Sequence, residues 1–326
     1  MPSSFNTAPE PSRICLGTGS FGSEISPEES FAVLDAYAEA GGNFLDTAHI
    51  YAAWVEGGWG ASERTLGEWM RANHNREDVV LATKGGHPPL DQLDMGRCGP
   101  ENLRQDLSES LERLGVDRVD LYWLHRDDPG RPVGEIIDTL AGFLKEGLVG
   151  SYGASNWSIA RIAAANAYAA SSGRPPFAAN QPGWSLARRP AETIPVEGML
   201  FADDTTRAWH LKTGLAMAAY SAQAKGYFGN ENVAWAEGGF EGPPPRAEEY
   251  DAPDNRQRLQ AAARLAREKG CTANQIALAW LLHQPFPVYP IVGTRNPGHI
   301  RESLEAESIE LTEEDIRVLN TGLSLE

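Results

Sequence analysis

Residues 101–125 read ENLRQDLSESLERLGVDRVDLYWLH, and this stretch decides the fold. Its first fifteen residues form an amphipathic helical pattern that closes on Gly115, a common stop after a last helical turn. Its last seven, Val119–His125, are a short apolar run of strand type. One helix followed closely by one strand is half of a β/α repeat.

Working outward, the same alternation runs from near the N-terminus to about residue 307. The candidate strands are Ile14–Gly17, Asn43–Ala48, Val79–Lys84, Val119–His125, Gly150–Ser155, Ala178–Gln181, Leu215–Ser221 and Val288–Gly293, eight in all. Between them lie helical patterns such as EESFAVLDAYAEAG, SERTLGEWMRAN, VGEIIDTLAGFLKEG and IARIAAANAYAA. Strands separated by helices pair in parallel through right-handed crossovers. Eight such units predict an α/β protein with a closed (β/α)8 TIM barrel, its site at the C-terminal strand ends.

The 326 residues then form one domain, 1–326, with extended βα loops. Residues 182–210 make a long link carrying Trp184, Trp209 and the pair Asp203–Asp204. Residues 226–253 are turn-rich and acidic, with four aromatics before Tyr250, which favours a loop that packs. TEEDIRVLN, opening on Thr312, predicts a C-terminal helix. AAARLAREKG reads as a solvated face with an apolar stripe.

Lys and Arg number 28 against 45 Asp and Glu, a formal charge of −17. That excess leaves no basic footprint for nucleic acid and disfavours anionic membrane surfaces. Cys15, Cys98 and Cys271 form no disulfide framework, which fits a reducing compartment. The start, MPSSFNTAPEPSR, lacks the regions of a secretion signal, and no run of about 18 apolar residues exists to span a bilayer. A cytoplasmic protein without membrane or nucleic-acid partners is expected. The oligomeric state is not legible.

Polar groups close the apolar strands. GGNFLDTAHIY ends strand two in Asp46, with Tyr51 five residues on. Lys84 ends strand three, His125 strand four, Ser155 and Asn156 strand five, Gln181 strand six, and Tyr220 with Ser221 strand seven. His74, His87, His210 and His283 have no metal-ligand spacing, so no metal site is expected. Taken singly, Asp46 reads as a turn residue, Tyr51 as a packed aromatic, Lys84 as a strand-end charge and His125 as a core histidine. Taken jointly, at ordered strand ends, they read as a site.

Here the sequence resembles the aldo-keto reductase superfamily over nearly the whole chain. GGNFLDTAHIY, TKGG, LYWLHRDDP, GASNW and IVGTRNPGHIRES carry the resemblance in that order. It implies reduction of an aldehyde or ketone to an alcohol, or the reverse, with NADP or alternatively NAD as cofactor. A tyrosine of pKa about 10 is a reluctant acid near neutrality, and a nearby ammonium favours its phenolate. By resemblance Tyr51 is the general acid, Lys84 tunes it, Asp46 holds Lys84, and His125 orients the substrate carbonyl.

The resemblance also implies that Ser155, Asn156 and Gln181 hold the nicotinamide carboxamide while Tyr220 stacks on the ring. YSAQAKG resembles a family segment in which Ala222 and Gln223 replace a proline and a leucine, and it assigns Ser221 and Lys225 to phosphate. Gly293, Thr294, Arg295, His299, Glu302 and Ser303 fall in the segment that meets the adenosine end. Family members selective for a 2′-phosphate often carry lysine and arginine where this chain has Gly293 and His299, so Arg295 and Arg301 stand as substitutes. Trp54 and Trp157, near Tyr51 and Asn156, are the substrate-contact candidates. A cofactor-binding regulator with little turnover, and a Schiff-base aldolase using Lys84, are the rival readings.

Overall fold

The computed structural model describes residues 5, 7, 9–238 and 242–321. Parts of the N-terminal stretch read for a secretion signal, and Gly239, Phe240 and Glu241 of the acidic loop, lie outside the described residues. Eight parallel strands close into a barrel in chain order: β1 (Cys15–Gly17), β2 (Phe44–Asp46), β3 (Val80–Gly85), β4 (Val119–Leu124), β5 (Val149–Ser155), β6 (Ala179–Gln181), β7 (Ala216–Ala219) and β8 (Val288–Val292). The seam is the β1–β8 pairing, Leu16 opposite Val292.

Six strands are shorter than the sequence suggested, β2 and β7 by the most. β2 starts after Asn43, whose side chain is bonded to the Ser12 amide instead. β7 stops before Tyr220 because Ser221 turns into the left-handed region at φ 54° and ends the ladder.

Alternation along a strand sends every second side chain into the barrel. Phe44, Val80, Ala82, Leu121, Trp123, Ala179, Ala216, Ala218 and Ile291 fill it, with Phe5 and Tyr289 packed on Phe44. One further step of two residues along these strands reaches Asp46, Lys84, His125, Gln181 and Tyr220. The parity that fills the barrel thus also aims these polar residues into its mouth. The opposite parity, Leu45, Leu81, Leu124 and Met217 among it, packs outward under the helices.

The helices form where expected, with defined ends. Pro27–Glu39 starts on a capping box of Ser26 and Glu29, and Pro100–Leu114 stops at Gly115, whose φ of 66° suits glycine. The C-terminal helix spans Glu313–Thr321. In Pro253–Lys269 the apolar stripe of Leu259, Ala262 and Leu265 is buried.

Both long segments carry more order than sequence alone implied. Asp203 caps a helix, Asp204–Thr213, inside and beyond the 182–210 link, and Gly183 bridges to Phe201 and to Tyr220. The 226–253 segment contains a helix, Asn230–Gly238, with Tyr227, Phe228, Trp235 and Tyr250 buried. Their burial is what holds this segment on the barrel.

Candidate active site

At the floor of the mouth, the Lys84 ammonium makes three hydrogen bonds. It donates to Asp46 Oδ2 at 2.5 Å, to the Thr47 carbonyl at 2.8 Å and to Tyr51 Oη at 2.8 Å. An ammonium has three N–H donors, so all are spent and its orientation is fixed. Lys84 is 1% exposed and Asp46 2%, so each charge depends on the other. Gln181 Nε2 donates to Asp46 Oδ1 at 3.1 Å and holds the carboxylate from the far side of the barrel.

The electrostatics follow from this packing. Burial opposes the Lys84 charge, but Asp46 and Tyr51 outweigh it, and the lysine pKa lies above its ordinary value. Burial also raises the Tyr51 phenol, and the opposing pull of Lys84 does not cancel it. Tyr51 Oη accepts from Lys84, which leaves its own O–H to be donated elsewhere.

His125 lies beside Tyr51, ring centroids 5.7 Å apart, and His87 lies 4.8 Å from His125. Burial holds His125 well below its usual pKa and brings His87 down to about 4, so both rings are neutral at pH 7. His125 Nδ1 is buried with no partner among the described residues. A buried lone pair costs less than a buried N–H, which puts the proton on Nε2.

The residues expected at the nicotinamide converge next to this floor. Ser155 Oγ donates to the Gln181 carbonyl at 2.8 Å. Asn156, at φ 58°, donates to the His125 carbonyl and to Ser155 Oγ, and its Oδ1 accepts from Leu200 N–H and from the Tyr220 hydroxyl. Its amide is fully engaged. No protein group pairs with Gln181 Oε1 among the described residues, so one acceptor remains for a ligand amide.

A cleft of about 770 Å³ leads away from Tyr51 across the β7–β8 side. A Cβ on Gly19, in its wall, would lie 3.9 Å from the Tyr51 ring, so floor and cleft adjoin. Ser221, Gln223, Lys225, Gly293, Thr294, His299 and Glu302 line it, and Ser303 is buried behind, within 3.4 Å of Gln223 Nε2. Lys225 sits on a backbone of left-handed residues, Ala224 to Gly226, and pairs with Glu249 at 2.9 Å.

Not every candidate comes to the site. Arg295 reaches the Glu24 carbonyl, Arg301 pairs with Glu39, and neither lines the cleft. Arg246 lines it instead, paired with Glu231 at 2.8 Å. Trp54 is 50% exposed, edge-on to Tyr51. Trp157 is 2% exposed, packed on Phe177 with its N–H on the Arg126 carbonyl, which makes it a support of the wall rather than a face of it. His49, two residues before Tyr51, is bonded to Glu109 at 2.8 Å. His87, Arg246 and Leu200 were not legible as site residues. They sit on loops, where neither strand parity nor a motif marks them.

The model of the Aldo/keto reductase family matches residues 13–321. A norsolorinic acid reductase of Aspergillus flavus is 30% identical over 95% of this chain and 77% of its own. An oxidoreductase of Bacillus subtilis is 31% identical over 95% and 91%. An aryl-alcohol dehydrogenase of Pestalotiopsis microspora is 29% identical over 95% and 78%. A crystal structure of a thermostable aldo-keto reductase, complexed with the inhibitor epalrestat, superposes with a TM-score of 0.72 at 24% identity, covering 97% of each chain.

Proposed function

Because the chain belongs to the aldo/keto reductase family of oxidoreductases, we propose that Tyr51, Lys84, Asp46 and His125 carry carbonyl reduction at this barrel mouth, with NADPH as the reductant. The observation that bears most weight is the triple bonding of Lys84. With its three donors spent, the ammonium holds Tyr51 Oη as an acceptor and turns the phenolic proton toward the open mouth. Tyr51 then gives that proton to the carbonyl oxygen as negative charge develops there. His125, neutral and protonated on Nε2, donates a hydrogen bond to the same oxygen and fixes the carbonyl's direction. Asp46 keeps Lys84 in place from below.

A bound nicotinamide cofactor supplies the hydride that this chemistry needs. The chain's residues fit it. Gln181 Oε1 and the Ser155–Asn156 pair would hold the carboxamide, Tyr220 would flank the ring, and the adjoining cleft has the volume and the hydroxyl and amide lining for the remainder. Asn156 would exchange its Leu200 or Tyr220 bond for the ligand. Ser221, Lys225, Thr294, His299 and Glu302 line the part that would meet the phosphates and adenosine. NAD is the second reading. It is favoured by one observation: both cations lining the cleft, Lys225 and Arg246, are already balanced by carboxylates.

Substrate approaches from the loop side. Trp54, Leu90, Leu93, Met95 and Leu200 expose apolar surface on the loops at the strands' C-terminal ends, which suits an aromatic aldehyde or ketone. The aryl-alcohol dehydrogenase among the relatives is consistent with that choice.

The test is fluorescence titration with NADPH and NADH, then cofactor absorbance loss over a panel of aromatic aldehydes and ketones. Tight NADPH binding with turnover is expected. Absence of cofactor binding sinks the reading, and binding without turnover on the whole panel favours a regulator.

A further inference from the structure

Arg126 follows His125 directly, and no group bonds its side chain among the described residues. β4 has ended at Leu124, so strand parity no longer turns Arg126 outward. Its charge is felt at His87, His125, Tyr51 and Tyr220. It is half-buried, Nη1 is a buried donor without an acceptor, and no carboxylate pairs with it among the described residues.

This isolation is built in. Two aspartates follow Arg126, but both face away. Asp127 is taken by Arg161 at 3.0 Å. Asp128 accepts from the Cys98 amide at 3.3 Å and lies 3.6 Å from Arg131. The Arg126 backbone is pinned as well, its carbonyl accepting from Trp157 Nε1 at 3.2 Å and from Cys98 Sγ at 3.3 Å. A partly desolvated guanidinium with no counter-ion is costly in itself, and in a chain of charge −17 a carboxylate was readily at hand. An unpaired, fork-shaped cation on a pinned backbone, next in sequence to His125, suits an anionic ligand.

We propose that Arg126 is a specificity-determining residue, and that the substrate is a carbonyl compound bearing a carboxylate near its reacting carbon, with its apolar end against the exposed Trp54 and Leu200 side. This rests on the carbonyl-reductase reading above. The carboxylate takes the unused donors of Arg126 while the carbonyl oxygen lies toward Tyr51 and His125. Lysine does not replace the arginine fully, because a point charge lacks the two-pronged geometry.

Two matched pairs test this: phenylglyoxylate with its methyl ester, and 2-oxo-4-phenylbutanoate with its methyl ester. The acid of at least one pair should exceed its ester at least tenfold in kcat/KM, mostly through KM, and added salt should shrink the gap. Arg126→Gln should lower kcat/KM for that acid at least tenfold more than for its ester, with Arg126→Lys intermediate. Equal rates for acid and ester in the wild type, or an equal loss of both in R126Q, overturn the proposal. So does an NADPH affinity that falls in R126Q as much as the acid's kcat/KM, since the arginine then serves the cofactor. A second readout needs no turnover: calorimetric titration of phenylacetate into the folded protein should give a Kd at least tenfold weaker in R126Q. If no carbonyl is reduced but phenylacetate binds through Arg126, the reductase reading fails and the anion site stands. If carbonyls are reduced and phenylacetate binds both proteins alike, the anion site fails alone.

Discussion

The floor of the mouth and the rim of the adjoining cleft use the same kinds of residues in opposite ways. On the floor, Asp46, Lys84 and Gln181 are buried and come from three strands; Asp46 and Lys84 neutralise one another, and the Gln181 amide bonds the carboxylate. Along the cleft, Lys225 and Arg246 stand on exposed loops, each paired with a loop or helix carboxylate, Glu249 or Glu231. The buried pair keeps its geometry because separating it strands a charge in the protein. The exposed pairs are screened and weak, so a ligand phosphate can replace a carboxylate at little cost. One region is set before any ligand arrives, and the other is poised to exchange partners.

The sharpest break of that comparison is Tyr51→Phe. It removes the proposed proton donor without touching the Asp46–Lys84 pair, so kcat for reduction should fall about 10³-fold. Fluorescence titration should give an NADPH affinity close to that of the wild type. Full activity in this variant would reassign the proton.

Lys84→Met attacks the preset region directly. It leaves Asp46 buried and uncompensated, and should destabilise the fold by about 3–5 kcal/mol in urea unfolding. Activity should fall with it. The double variant Asp46→Asn with Lys84→Met should recover much of the stability and none of the activity, which separates the fold's need for the pair from the chemistry's.

Changes at the rim are smaller. Lys225→Ala should weaken NADPH about tenfold, the scale of one charge-assisted hydrogen bond, and act on KM. Glu249→Gln frees Lys225 from its partner and should tighten NADPH a few-fold, read in the same titration. If both variants match the wild type, the phosphate role of Lys225 is wrong.

pH distinguishes the two regions most gently. Burial holds the Tyr51 phenol above its ordinary 10 and keeps His125 neutral, so kcat for reduction should be flat between about pH 6 and 8 and fall only on the alkaline side. Stability follows the histidines. His87 has a pKa of about 4 folded against 6.5 unfolded, so the unfolded chain binds more protons between those values. Its contribution is complete above pH 6.5 and is lost as pH falls toward 4. His87→Gln should therefore show a smaller drop in Tm from pH 7 to pH 5 than the wild type does.

The barrel was legible because its signal repeats. A misplaced strand end, such as Ser221 for Ala219, does not disturb eight alternations. The convergence of Asp46, Lys84 and His125 was legible for a related reason, since each stands two residues beyond an inward-facing barrel residue. Loop geometry carries no such period. Arg295 reaches the Glu24 backbone carbonyl and Arg301 pairs with the Glu39 carboxylate, across more than 260 residues in sequence. Arg246 lines the cleft beside the helix Asn230–Gly238, whose Glu231 pairs with its side chain and whose Asn232 bonds its backbone.

The sequence by itself determined the eight-strand barrel, the ordered polar strand ends and the family resemblance they carry, because alternation and short motifs are local properties of a chain. Tertiary structure decided which charges remain available. Two aspartates follow Arg126 in sequence, and the fold turns them to Arg161 and Arg131 and leaves the guanidinium without a carboxylate among the described residues. An ion pair is a property of two surfaces meeting, and which surfaces meet is fixed only when the barrel closes.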